Sequence, residues 1–178
     1  MKKTVLTFGL ISGVIIAILM SINTAFADRI GFDRAVIVGY TTMLVAFLLV
    51  FFGIKSYRDN VGDGQISFGR AFTVGILITL ITCFFYVVSW EILYYTFLHD
   101  FPEKYGNYLM EKARASGATP EQLAQQLEEV KQMKTLLDNP LVAPAVIFIS
   151  EPFPVGLVMT LISAAILRKR RKQVEVPV

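Results

Sequence analysis

The chain is poor in most of what soluble chemistry uses. Its 178 residues include one cysteine, one histidine and one tryptophan, and only 17% are Asp, Glu, Lys or Arg. Soluble domains are about a quarter charged, so the shortage argues against a cytosolic enzyme and against a disordered chain. The lone Cys83 has no partner for an intrachain bridge, which excludes a disulfide-stapled secreted domain. It lies inside an apolar run, so it carries no information on redox compartment. The lone His99 excludes paired-histidine metal spacing, and with one cysteine there is no Cys/His set. No Ser stands in a strand-turn-helix elbow, and no Gly-Lys-Ser/Thr loop offers a phosphate cradle. The Gly62-Asp63-Gly64 turn lacks the further carboxylates and the closing Glu of a calcium loop. The expectation is a chain with no cofactor, no metal site and no catalytic residues.

What the chain has in excess is hydrocarbon. Hydrophobic residues make up 54% and the mean hydropathy is +0.58, concentrated in four runs. A bilayer core about 30 Å thick needs roughly 20 apolar residues in a helix. The runs predict transmembrane helices over residues 4–27, 35–54, 71–95 and 145–167. The fold class expected is all-α: an integral membrane protein, one membrane domain over 1–178. Its soluble parts are a cytoplasmic loop at 55–70, an extracytoplasmic insert at 99–140 between helices 3 and 4, and a basic tail at 168–178. The insert reads as an amphipathic helical hairpin. Phe101, Tyr105, Tyr108, Leu109 and Lys112 recur at helical spacing, with Gly117 placed to end that helix. Thr119-Pro120-Glu121-Gln122 supplies an N-cap, a proline at the first helical position and a Gln three residues after the cap. Leu123, Leu127, Val130, Lys134 and Leu137 then mark the stripe of a second helix. That stripe serves either as packing surface or as a docking face for a partner.

Orientation follows from Lys and Arg in the short loops. Lys2, Lys3, Lys55, Arg58, Arg70 and the basic run at 168–172 fall on one side. The other side holds Arg29, Arg34 and an insert in which acids outnumber Lys and Arg. Both termini are therefore expected in the cytoplasm. The pI near 9.0 is accounted for by topology, and no nucleic-acid footprint is visible. Lys2-Lys3, an apolar stretch and Ala25-Phe26-Ala27 also match the layout of a cleavable signal peptide. The uncharged stretch exceeds the 7 to 15 residues of a signal core, so the reading taken is a retained helix.

Small residues form stripes suited to close helix approach. Gly9, Gly13 and Ala17 recur at every fourth position of the first helix, continuing to Ser21 and Ala25. Ala71, Gly75 and Thr79 do so in the third, and Gly156, Thr160 and Ala164 in the fourth. Two carboxylates interrupt the spans. Glu91 lies on the small-residue stripe of helix 3, among Tyr86, Trp90, Tyr94 and Tyr95. Glu151 opens Glu-Pro-Phe-Pro-Val-Gly, where two prolines forbid an unbroken helix and make Leu141 to Ser150 a separate or kinked piece. Both are placed near the outer leaflet, and charges inside a span call for a functional hypothesis. Glu91 and Glu151 are the candidate intramembrane polar site, for a shared proton or a cation. The competing reading is that each reaches water or a basic neighbour.

Several strings together resemble a known family. They are Phe51-Phe52-Gly53-Ile54-Lys55-Ser56-Tyr57-Arg58-Asp59-Asn60, Gly64-Gln65-Ile66-Ser67-Phe68-Gly69-Arg70-Ala71-Phe72, Tyr86-Val87-Val88-Ser89-Trp90 and Glu151-Pro152-Phe153-Pro154-Val155-Gly156. The chain is similar to the bacterial inner-membrane family catalogued as domain of unknown function 4199. The resemblance implies a four-helix inner-membrane protein with an extracytoplasmic insert, and it implies no activity. Two function classes remain. One is a non-enzymatic assembly or accessory protein of the envelope, self-associating or binding an envelope partner through 99–140, with the lipid bilayer as its surroundings. The other is a small oligomeric transporter or channel using Glu91 and Glu151.

Overall fold

The computed structural model describes residues 1–169, except for the side chain of Asp28. The elements are α1 (Lys2–Ile30), α2 (Phe32–Val61), α3 (Phe68–Phe97), α4 (Phe101–Ala115), α5 (Pro120–Leu137), α6 (Ala143–Ser150) and α7 (Pro152–Leu167). Among the described residues there is no strand, only a single backbone bridge between Ile66 and Lys169. Lys2–Ala27, Phe32–Val61, Phe68–Phe97 and Ala143–Leu167 are long and apolar enough to cross a membrane. The fold is all-α with four such spans.

Helices α1, α2, α3 and α7 form the bundle, with α2 and α3 touching each other and α1 and α7 seated on opposite sides of that pair. Its core runs through Val5, Ile16, Phe47, Val50, Ile54, Val74, Ile78 and Ala164. The outer surface is apolar as well: Ile37, Phe84, Ile149 and Ile166 are each about two-thirds exposed. An apolar core wrapped in apolar side chains is the arrangement that a hydrocarbon solvent requires.

The connections are shorter than expected. Between the first two spans, expected to end at 27 and resume at 35, the connection shrinks to Gly31, whose φ of +80° suits a residue without Cβ. The cytoplasmic loop expected at 55–70 narrows to 62–67, because α2 continues to Val61 and α3 already begins at Phe68. Charge at Lys55 and Arg58 marks where a helix leaves hydrocarbon, not where it ends. Tyr57 remains buried, and the helix stops only where the Gly62 amide donates to the Tyr57 and Arg58 carbonyls. Asp63 and Gly64 then turn the chain with positive φ, and the Ser67 hydroxyl accepts from the Arg70 amide to start α3. The Ile66–Lys169 pairing ties this turn to the end of α7. Of the basic tail at 168–178, Arg168 and Lys169 are described; Arg170, Arg171 and Lys172 lie outside the described residues.

Helices α4 and α5 pack side by side and antiparallel. Gly106 lets the backbone of α4 approach the Val130 side chain, and Glu103 pairs with Lys134 at 2.6 Å. Thr119 and Gln122 cap α5 reciprocally: the Thr119 hydroxyl accepts from the Gln122 amide and the Gln122 side chain accepts from the Thr119 amide. The fourth span is two helices, α6 and α7, broken at Glu151.

Candidate functional site

The small-residue positions identify which helices meet. A Cβ on Gly9 would stand 2.9 Å from Ile81, and one on Gly13 2.6 Å from the Phe85 ring, so both glycines face α3. Ala17 is half-buried, while Ser21 and Ala25 are exposed, so the α1 stripe leaves the interface as it proceeds. At the centre of the bundle two helices interlock. A Cβ on Gly75 would press on Thr160 of α7 at 2.8 Å, and one on Gly156 would strike Thr79 of α3. Each glycine sits one helical turn from its own helix's threonine, and the antiparallel pairs Gly75–Thr79 and Thr160–Gly156 therefore fit face to face. The two hydroxyls bond each other at 2.9 Å, and Thr79 also donates to the Gly156 carbonyl at 3.3 Å. Ser12 similarly donates to the Ala46 carbonyl between α1 and α2 at 2.8 Å. Buried hydroxyls in a membrane bundle need such partners, because lipid offers none.

Glu151 occupies the break between α6 and α7, with φ −120° and ψ −78°. Pro152 and Pro154 have no N–H to continue the ladder. The Tyr86 hydroxyl of α3 donates to the Glu151 carboxylate at 2.5 Å. No ion pair among the described residues includes Glu151, and the packed faces of α6 and α7 carry no Lys, Arg or His.

Glu91 goes elsewhere. One of its carboxylate oxygens is buried without a hydrogen-bond partner. Five residues separate Tyr86 from Glu91, about 7.5 Å along α3 and more than a third of a turn around it. The two carboxylates therefore share no hydrogen bond, and the structure attaches Glu151 to Tyr86 instead. Around Glu91, Trp90 stacks on Tyr94 and Tyr94 on His99. The Tyr94 hydroxyl donates to Asp138 at the end of α5 at 2.6 Å, and Tyr94, Leu137, Ala143 and Ile147 make a second small core. That core fastens α5 and α6 to the end of α3.

The other attachment is at the start of α2. Phe32 lies against the rings of Phe101, Tyr105 and Tyr108, and Lys112 bonds Asp33 at 2.8 Å. The Asp33 carboxylate beside Lys112 raises the Lys112 ammonium above the usual lysine range, and Glu103 does the same for Lys134. The Lys104 ammonium holds the Asp100 carboxyl below its ordinary value. These groups are exposed, so they orient the helices more than they stabilise them.

Two features escaped the sequence reading. The Thr79–Thr160 contact was signalled by a Thr four residues after a Gly in each of two stripes, but the stripes alone did not pair them. Tyr86 was visible as one aromatic among several, and nothing local marks it as the partner of a carboxylate 65 positions away.

The arrangement defines a multi-pass helical membrane protein, a four-span bundle with a two-helix appendage. The chain belongs to the family described as protein of unknown function (DUF4199), whose model matches residues 7–169. Comparison with curated proteins finds no match, and neither does comparison with solved structures.

Proposed function

We propose that this is a non-enzymatic protein of the bacterial inner membrane that assembles with itself or with an envelope protein through α4 and α5. The observation that carries this reading is where the free surface lies. The tight glycine faces at Gly9, Gly13, Gly75 and Gly156 are filled by side chains of the same chain. The α4–α5 pair instead stands beside the bundle and leaves Leu127 and Leu136 of α5 more than 40% exposed. An extracytoplasmic position for this pair, with both termini cytoplasmic, is supported by Lys55, Arg58, Arg70, Arg168 and Lys169 gathering around the 62–67 turn and the end of α7. The test replaces residues 103–138 by a short flexible linker and compares complexes by native mass spectrometry after gentle extraction. Loss of a stoichiometric partner or of the oligomer, with the bundle still folded, is the expected result. Complexes that survive unchanged sink the reading.

A second reading, a small oligomeric transporter, is favoured by one observation: Glu151 stands inside a span, at a helix break, without a basic partner among the described residues. The flux of protons or alkali ions through reconstituted vesicles, with and without Glu151→Gln, decides it.

A further inference from the structure

The break at Glu151 leaves more than a carboxylate without a full set of partners. Across it the Glu151 amide still donates to the Ile147 carbonyl at 3.1 Å. Beyond it the regular ladder is interrupted: the carbonyls of Phe148 and Ser150 lose the donors four residues on. The cause is in the sequence: the donors that would reach Phe148 and Ser150 in a continuous helix belong to Pro152 and Pro154, which have none. These carbonyls form the C-terminal end of α6, the negative end of its dipole, and the Glu151 carboxylate stands at that end. Glu151 begins about 12 Å along the fourth span from Ala143 and about 24 Å from Leu167, so the group of oxygens lies well within hydrocarbon.

Negative charge, and carbonyls short of their helical donors, require compensation at that depth, and Tyr86 supplies one hydroxyl proton to the carboxylate. Among the described residues no basic group pairs with Glu151. Facing the break, α3 contributes Tyr86; Glu91 stands five residues further on and is turned away from it. From α2 the titratable neighbour is Tyr40, a neutral phenol. The Asp138 carboxylate at the end of α5 is already bound to Tyr94. Helices α6 and α7 hold no ionisable side chain of their own. Half-helix ends with unwound carbonyls at membrane depth are a recurring way to hold Na⁺ or H⁺ in membrane proteins.

We propose that the Glu151 carboxylate and the carbonyls ending α6 form a binding site for one monovalent cation, a proton or a sodium ion, which neutralises the carboxylate in competition with the hydrogen bond from Tyr86. The shared chemistry is one positive charge placed on a carboxylate oxygen. Tyr86 keeps its own hydrogen throughout, and no other bond is made or broken. Transport would need such a site, but binding is an equilibrium property of the chain and stands or falls without flux.

The experiment measures thermal unfolding of the full chain in lipid nanodiscs. One arm varies NaCl against choline chloride at constant ionic strength and pH; the other varies pH at constant choline chloride. A cation that binds only the folded state raises the melting temperature as its concentration passes its Kd. The wild type is expected to show that rise in one arm, and Glu151→Gln to lack it. A rise with sodium at fixed pH assigns the alkali ion, and a pH dependence that disappears with Glu151→Gln assigns the proton. Glu91→Gln is expected to retain the wild-type response. Tyr86→Phe removes the competing donor and is expected to move half-saturation to about tenfold lower cation concentration or further, the equivalent of one hydrogen bond to a charged group. The proposal is overturned if wild type and Glu151→Gln superimpose in both arms. It is equally overturned if the response follows Glu91, or if Tyr86→Phe leaves half-saturation unmoved.

Discussion

The junction of Gly156 with α2 and α3 permits a quantitative test of how the bundle is held. A Cβ added at Gly156 would stand 2.7 Å and 2.9 Å from two ring carbons of Phe47 and would also strike Thr79. Carbon atoms settle at about 3.5 Å or more, so the ring or the helix must give by close to 1 Å. Phe47 is fully buried and has nowhere to swing, and Thr79 is tied to Thr160 and to the Gly156 carbonyl. Overpacking of this kind costs about 1–3 kcal/mol. Loss of the interhelical hydroxyl bond adds about 0.6 kcal/mol, the average measured for such bonds in a membrane bundle. Gly156→Ala is therefore expected to destabilise the folded chain by about 2–3 kcal/mol. Reversible unfolding in mixed micelles, followed by circular dichroism against denaturing detergent, reads the difference directly. Gly69→Ala is the control: its Cβ would meet nothing within 4 Å, so stability should change by no more than about 0.5 kcal/mol. The reasoning is refuted if Gly156→Ala falls within 0.5 kcal/mol of wild type, or if the two substitutions cost the same.

Other expectations concern α4, α5 and their attachments. Thr119→Ala removes the reciprocal cap and should destabilise the start of α5 by about 1 kcal/mol, seen as faster amide exchange at Glu121 to Leu123 and not elsewhere. Tyr94→Phe leaves Asp138 without its donor and should release the end of α5, so limited proteolysis around Asn139 should quicken while the four spans stay protected. The Lys134–Glu103 pair should respond to pH with a definite sign. Because Glu103 raises Lys134 above its ordinary value of 10.5, the stabilisation is complete below that value and is lost as pH rises through the higher folded-state value. Exchange protection at the α4–α5 contact should therefore weaken above pH 10.5 in wild type and show no such loss in Glu103→Gln. Asp100 has the opposite sign: Lys104 depresses it below 3.8, so its contribution is present above 3.8 and fades as pH falls through the lower folded-state value.

The local devices were legible because each acts within a turn or two of its own residues. Four apolar runs predict four spans, since the length of hydrocarbon to be crossed is a property of the bilayer. Pro152 and Pro154 announce the interruption of the fourth span, since a missing N–H breaks a helix wherever it lies. Thr119, Pro120 and Gln122 announce the start of α5 by capping chemistry alone. The end of α2 was less legible: Lys55 and Arg58 suggested a loop, yet α2 runs on to Val61 because a helix can leave the membrane without ending.

Partner choice belongs to the tertiary structure. A small-residue stripe shows which face of a helix is narrow, not which helix fills it. Gly75 receives Thr160 and Gly156 receives Thr79 only because α3 and α7 lie antiparallel in matching register. Likewise Glu91 and Glu151 looked alike as carboxylates in spans, and their sequence positions put them at similar depth without saying whether they meet. The fold rotates Glu91 away and brings Tyr86 to Glu151, because five residues along a helix turn a side chain through more than a third of a circle. Hydrophobic length and backbone donors are counted along the chain. Contact between groups many residues apart is decided by helix rotation and register, which exist only after the helices have packed.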